Sequence, residues 1–289
     1  MRVAHDPGGL AHRPRAVAIG TFDGVHLGHR RVLDAARAAG ARTSTVVTFD
    51  PHPRIAFGYD VRLLTTLERR LELVEQAGIE EALVVEFDLE LARLTPEQFT
   101  DAVLRPLGTE VVVAGVDFRF GRGRSGDLAL LERLGFEART VPLVEGVSSS
   151  KIRDLVRAGE IERAAQLLGR AHEVEGTVVT GDARGGTLGF PTANLRLAPN
   201  LLVPAHGIYA GAADGHRAAI SIGTNPHYGG QERRIEAHLL DFEGDLYGRR
   251  LVLQLWRRLR EELAFESEHA LVAQIARDVE ETRRATPPL

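Results

Sequence analysis

Two short strings in this 289-residue sequence set reactive side chains at spacings that chemistry can use. The first is Gly20-Thr21-Phe22-Asp23-Gly24-Val25-His26-Leu27-Gly28-His29. A β-branched run from Ala16 to Ile19 feeds it, and helical periodicity through Val32, Leu33 and Ala36 follows. Strand, glycine-rich turn and helix together make an anion site, because backbone N–H groups and the positive end of the helix dipole converge there. His26 and His29 lie three apart in the first helical turn and so share a face. Two imidazoles at that place can donate hydrogen bonds to charge building on a phosphorus centre. Zinc is poorly served, since no third ligand stands nearby in the sequence.

The second string is Gly181-Asp182-Ala183-Arg184-Gly185-Gly186-Thr187-Leu188-Gly189-Phe190, which leads into Pro191-Thr192-Ala193-Asn194. Gly185 and Gly189 allow backbone to come close to a polyphosphate. The Thr192 hydroxyl and the Asn194 carbonyl, two residues apart, can share one hard cation on a strand face. Farther along, period-two alternation puts Ile235, Ala237 and Leu239 on one face and Glu236, His238 and Leu240 on the other. Glu236 inside a strand is either the exposed face of an edge strand or a carboxylate kept for use, since burying it unpaired is costly.

Several readings fall away on residue counts alone. Lys151 is the sole lysine, flanked by Ser150 and Ile152, so a Gly-Lys-Ser/Thr P-loop is excluded. Gly121-Arg122-Gly123-Arg124-Ser125-Gly126 fits a dinucleotide fingerprint in letters but begins well past its strand, leaving a basic loop near substrate phosphates or a solvated surface loop. A net charge of −4 argues against a general nucleic-acid binder. With no cysteine, disulfides and thiolate metal sites are impossible. No apolar stretch reaches signal-peptide or membrane-span length, so the expectation is a soluble, cytoplasmic chain that binds no membrane.

These side chains need two different scaffolds. From Arg15 to about Arg157, β-branched runs (Ala16 to Ile19, Ser44 to Phe49, Ala82 to Glu86, Glu110 to Ala114, Ala138 to Val141) alternate with helical spacing, the pattern of a parallel sheet with crossover helices. Leu67, Leu71 and Val74 mark one helix, and Thr95-Pro96-Glu97-Gln98 opens another with a capping pattern. From Val174 to Leu255 the alternation is period two, broken by Gly, Asp and Asn clusters, as in an antiparallel barrel or sandwich. Leu271, Ile275 and Val279 predict a final helix over Ser267 to Arg284. An apolar content of 44% supports two domains, drawn at 1–168 and 169–289.

The ten-residue string resembles the HxGH signature of nucleotidyltransferases, and its surroundings resemble the prokaryotic bifunctional riboflavin kinase/FAD synthetase family. The likeness continues in Thr48-Phe49-Asp50-Pro51-His52-Pro53, Gly115-Val116-Asp117-Phe118-Arg119-Phe120-Gly121 and Ser148-Ser149-Ser150-Lys151-Ile152-Arg153. In the second half it continues in Pro191-Thr192-Ala193-Asn194, Gly207-Ile208-Tyr209-Ala210 and Asp245-Leu246-Tyr247-Gly248. His227 and Ala171-His172 depart from the family pattern.

The resemblance implies a Rossmann-like α/β adenylyltransferase joined to an all-β kinase barrel. It implies ATP contacts at Gly20, Thr21, Phe22, Asp23, Gly24, His26, His29, Ser149, Ser150 and Arg153. On the flavin side it implies Asp50, Pro51, His52, Asp117 and Arg119. In the barrel it implies ATP at Gly185, Gly189, Thr192 and Asn194, Mg²⁺ on Thr192 and Asn194, and Glu236 as catalytic base. Riboflavin, FMN, FAD and ATP would be the small-molecule partners, and a weak homo-oligomer stays open. The rival reading keeps nucleotidyl transfer but sends AMP or CMP to another phosphorylated metabolite, with the barrel binding flavin as a regulator.

Overall fold

Alanine, valine and isoleucine fill the central run Arg15–Ile19, and every one of its five residues is buried, which a strand covered on both faces requires. The computed structural model describes residues 1–40, 42–181, 184–224 and 233–289. They divide into two compact units, Met1–Val61 with Thr66–Val147, and Arg62–Thr65 with Ser148–Leu289.

The first unit holds β1 (Arg2–Ala4), β2 (Arg15–Ile19), α1 (Leu27–Arg37), β3 (Thr43–Asp50), α2 (Pro53–Ala56), α3 (Leu67–Gln76), β4 (Glu81–Glu86), α4 (Pro96–Phe99), β5 (Thr109–Gly115), α5 (Leu128–Arg133) and β6 (Glu137–Val141). The six strands form one sheet in the order β1-β4-β3-β2-β5-β6, and every recorded pairing in it is parallel. Alternation along β2 sends Ala16 and Ala18 into one core with Leu33 of α1 and Leu73 of α3, and Val17 and Ile19 into the other with Phe99 and Leu131. The chain leaves β2 for β3 on one side and later returns to β5 on the other. The carboxyl end of β2 is therefore the switch point where such sheets open a crevice.

The second unit holds α6 (Ser149–Arg157), α7 (Ile161–Leu168), β7 (His172–Val179), α8 (Arg184–Thr187), β8 (Ala193–Leu197), β9 (Gly207–Ala213), β10 (His216–Thr224), β11 (Arg233–Leu239), β12 (Arg250–Arg260) and α9 (Glu268–Arg284). Its strands close into an antiparallel barrel in the order β10-β11-β8-β7-β12-β9, with β9 pairing β10 to complete the circle. That resolves the choice between barrel and sandwich. Ile220, Ile235, Ala237 and Leu253 fill the interior. Helix α9 fills the span expected of the final helix, and the Ser267 hydroxyl caps it by accepting from the Ala270 N–H at 3.2 Å. The strand β1 was not anticipated, because three residues are too few to show a period.

His172, at the start of β7, is 1% exposed and its Nε2 has no hydrogen-bond partner. Burial, helped by the Arg170 charge, pushes its imidazole down from the usual 6.5 to about 3. A folded-state value below the unfolded one means the unfolded chain takes up the proton first as pH falls. The contribution of neutral His172 to stability is full above about pH 6.5 and is lost between there and about pH 3, at up to ~1.4 kcal/mol per pH unit. Trp256, the sole tryptophan, follows Leu255, which pairs with His172. Urea unfolding followed by Trp256 fluorescence is expected to show about 2 kcal/mol less stability at pH 5.0 than at pH 7.5. His172→Phe should remove most of that difference. An equal pH difference in both proteins would show that His172 is not its source.

Candidate active sites

The turn after β2 is built on three positive φ angles, two of them at residues that ordinarily avoid that region. Phe22 has φ 49°, Gly24 φ 83° and Val25 φ 38°. A β-branched residue at positive φ is a true outlier, costing on the order of 1–3 kcal/mol. What holds it is packing. Phe22 and Val25 are 1% and 0% exposed and sit in the same core as Leu33, and the Val25 N–H donates to the Phe22 carbonyl at 3.0 Å. The strain turns the backbone of Thr21 to His26 across the carboxyl end of the sheet.

His26 caps α1, its Nδ1 accepting from the His29 N–H at 3.3 Å. A ring whose Nδ1 accepts carries its proton on Nε2, so the remaining donor of His26 is defined by the cap. The two imidazoles stack, centroids 3.6 Å apart and planes at 15°, with Phe22 edge-on to His29 at 5.3 Å. Gly28 makes that possible, since a β-carbon there would meet the His26 ring at 3.1 Å. Gly20, Thr21 and Asp23 complete the turn, Asp23 fully buried. The i, i+3 spacing thus brings both histidines together at a helix N-terminus, where the dipole favours an anion.

Asp50 closes β3, the strand beside β2, and Pro51 and His52 open the connection from β3 towards β4. His52 is 8% exposed, and its Nδ1 accepts from the Arg54 N–H at 3.2 Å to cap α2. Beside it runs an aromatic arc that the sequence did not announce, Phe57 to Phe87 to Phe49, each step 5.7 Å between centroids, with Phe57 exposed. Asp117 and Arg119 are both exposed on the loop after β5, the Arg119 Nη1 donating to its neighbour's carbonyl at 2.7 Å. The Arg122–Arg124 turn beyond them is pinned by the Phe120 and Gly126 bridge.

Arg70 is the residue of this unit that pattern reading missed. It projects from α3, is fully buried, and donates through Nη1 to the Thr21 carbonyl (3.0 Å), the Phe49 carbonyl (3.1 Å) and Thr48 Oγ1 (3.2 Å). Burial lowers its guanidinium from the usual range, opposed by the charges of Asp23 and Asp50.

In the second unit, Ser149 and Ser150 stand in the first turn of α6 behind the Ser148 cap. Arg153 is 7% exposed and its Nε donates to the Arg62 carbonyl at 2.8 Å. On the barrel, β11 pairs with β8 on one side and β10 on the other, so it is not an edge strand. Glu236 lies directly opposite Asn194 across that ladder. Both belong to the outer face, because Ala193, Leu195, Ile235 and Ala237 take the interior. Arg234 ties the two together, with Nη2 2.5 Å from Glu236 Oε1 and Nε donating to Asn194 Oδ1 at 3.1 Å.

Thr192 precedes Asn194 by two, immediately before β8 begins. Gly185 covers it closely, since a β-carbon there would lie 3.2 Å from Thr192 Oγ1 and would collide with the Phe190 carbonyl. Gly189, at φ 85°, ends the same turn. Beside Thr192 opens a cavity of about 230 Å³ with walls of Val178, Ala237, Leu239, Phe242 and Leu246. No group of three or more His, Cys, Asp or Glu able to hold a metal occurs among the described residues. Thr192 and Asn194 instead offer neutral, hard oxygens, which suit Mg²⁺ when a polyphosphate supplies the remaining ligands. His227 lies outside the described residues.

A family model for FAD synthetase matches residues 10–153, and one for riboflavin kinase matches residues 168–286. A Listeria monocytogenes protein described as "Bifunctional riboflavin kinase/FMN adenylyltransferase" is 36% identical, the match covering 93% of this chain and 91% of the relative. The Escherichia coli protein of that description is 37% identical, covering 91% and 90%. A Streptococcus pneumoniae crystal structure titled a macrolide-efflux protein superposes with a TM-score of 0.87 at 30% identity, covering 97% of this chain and 98% of that one. Among the described residues, no helix is long and apolar enough to cross a membrane.

His238 shows what the barrel needs beyond its reactive groups. It shares the Glu236 face, its Nδ1 donates to the Pro191 carbonyl at 2.8 Å, and Phe190 packs edge-on at 5.6 Å. Alternation along the strand placed it, but its partner 47 residues away was invisible in sequence. His238→Ala should free the Pro191–Thr192 segment and raise the kinase KM for ATP about tenfold, on the scale of one hydrogen bond of ~1.4 kcal/mol. An unchanged KM would show the clamp to be dispensable.

Proposed function

Because the chain belongs to the bifunctional riboflavin kinase/FMN adenylyltransferase family, we propose that it makes FAD from riboflavin in two steps. Riboflavin and ATP give FMN and ADP, and FMN and ATP give FAD and pyrophosphate. We assign adenylyl transfer to 1–168 and the kinase to 169–289, a division in keeping with the spans of the two family models. The observation that carries the two-site reading is a contrast in inventory. The first site offers donors and a helix N-terminus without a base, and the second sets a strand glutamate opposite Asn194.

That contrast follows from the nucleophiles. The FMN phosphate is already ionised, so its oxygen can attack the α-phosphorus of ATP once aligned, forming one P–O bond as the bond to pyrophosphate breaks. Only alignment and neutralisation of developing charge are required. His26 and His29 donate to the phosphoryl oxygens, and the backbone N–H groups of Gly20 to Gly24 hold the polyphosphate. The family resemblance alone assigns phosphate contacts to Ser149, Ser150 and Arg153 as well. Asp50, Pro51, His52, Asp117 and Arg119 form the flavin side, where the Phe57–Phe87 arc offers the ring system an apolar wall.

The ribityl 5′-hydroxyl is neutral and gains from a base. Glu236 takes its proton as the oxygen attacks the γ-phosphorus and ADP departs. Arg234 fixes the carboxylate's orientation. Gly185 and Gly189 let the loop close on the phosphates, and the cavity beside Thr192 receives the adenine. Thr192 and Asn194 would hold Mg²⁺, which when bound neutralises charge on the nucleotide phosphates. The cytoplasm, where both substrates occur, is the proposed location.

Flavins separated chromatographically after incubation with riboflavin, ATP and Mg²⁺ test the proposal. Glu236→Ala should lower FMN formation about 10²–10⁴-fold, the range of a general base, while FMN-to-FAD conversion persists. His29→Ala should do the reverse, losing about 10²–10³-fold in adenylylation. Loss of both activities in either folded variant would contradict two separate sites.

A further inference from the structure

We infer that Arg70 is a positioning residue for adenylyl transfer, one that locks the nucleotide turn and the flavin-side loop into a single geometry from beneath. The inference rests on the reading of the first unit given above. Arg70 stands outside every string that named the site. It comes from the middle of α3, on the buried side of a helix whose neighbouring core positions are Leu73 and Val74.

A buried helix position among strands is ordinarily filled by an aliphatic side chain, and an arginine there must be held by what it bonds. Arg70 is bonded unevenly. Nη1 reaches three acceptors at once, the carbonyls of Thr21 and Phe49 and the hydroxyl of Thr48, within 3.0 to 3.2 Å. Thr48 Oγ1 in turn donates to the Thr21 carbonyl at 3.2 Å, closing the cluster. Nε and Nη2 are buried with no hydrogen-bond partner. An arginine serving stability alone would be expected to satisfy all its donors, because each unpaired one costs desolvation.

The acceptors identify the task. Thr21 opens the strained turn that carries His26 and His29, and Phe49 is the last residue before Asp50 and Pro51 of the flavin-side loop. Those two segments leave the carboxyl ends of adjacent parallel strands, where the ladder pairing of β2 ends at Ile19 with Val47. Beyond that pair the Arg70 Nη1 and Thr48 continue the connection that the sheet no longer makes. The guanidinium also lies within the field of Asp23 and Asp50, one from each segment. A fixed cation at this place offsets two carboxylates that would otherwise repel the incoming phosphates. In-line transfer depends on both substrates being aligned, so loosening either segment should weaken both binding and turnover.

The test uses the full chain with Arg70→Lys and Arg70→Met, measuring FMN adenylylation with KM resolved for ATP and for FMN, and riboflavin phosphorylation in the same preparations. Arg70→Met should lower adenylylation kcat/KM about 100-fold, as expected for misplaced reactants, and raise both KM values. Arg70→Lys keeps the charge and part of the clamp, and should recover about tenfold of that loss. Kinase activity should stay within about twofold of the wild type. A purely structural role would reduce the active fraction and leave both KM values unchanged, and that result would overturn the inference. Should Arg70→Met fail to fold, Arg70→Lys decides: raised KM for both substrates supports the clamp, and unchanged values for both overturn it. Absence of FAD synthesis by the wild type would instead defeat the proposed function itself.

Discussion

Phe22 and Val25 hold backbone angles that neither would choose, and the first unit is arranged so that they keep them. Their side chains are sealed in the core between the sheet and α1, so relaxing the turn would mean exposing an aromatic ring and an isopropyl group. At about 25 cal/mol per Å² of apolar surface, that burial is comparable with a strain of a few kcal/mol. Everything the turn does follows from this balance. It delivers Gly20 to Gly24 as a run of backbone across the sheet edge, starts α1 with His26 as cap, and brings two imidazoles into face-to-face contact. Parallel strands buried on both faces supply the rigid frame, and the switch point beside β2 leaves room for substrate.

The barrel answers a different constraint. Its interior is filled with aliphatic side chains, so polar chemistry has to sit on the outside, where a carboxylate can stay solvated until needed. Pairing β11 on both sides keeps Glu236 opposite Asn194, and closure of the barrel fixes that register. Arg234 then spans the pair. On the proposed reading, Glu236 on a rigid strand and Thr192 and Asn194 beside a glycine-rich loop would divide the work between a fixed part and an adaptable one.

Much of this was legible from residue order. Five of the six parallel strands announced themselves as β-branched runs, and the cap at Thr95 was readable because the bonds it makes are local. The Thr95–Gln98 capping box is made within four residues. The turn with His26 and His29 was equally plain, since its meaning depends on a spacing of three. Arg70 and His238 were not legible, because their partners lie 21 to 49 and 47 residues away. Sequence periodicity says which face a side chain occupies and nothing about what waits on the other side. The choice between a barrel and a sandwich escaped for that reason too, because it depends on pairings between strands far apart in the chain, β11 with β8 and β12 with β7 and β9.

On the proposed reading, FMN made at one site is the substrate of a second, separate site in the same chain. Mixing purified Glu236→Ala and His29→Ala proteins with riboflavin, ATP and Mg²⁺ tests it most directly, because neither variant alone can complete the sequence. The mixture is expected to make FAD from riboflavin after a lag in which FMN accumulates. A mixture that makes no FAD, under conditions in which the wild type does, would contradict it.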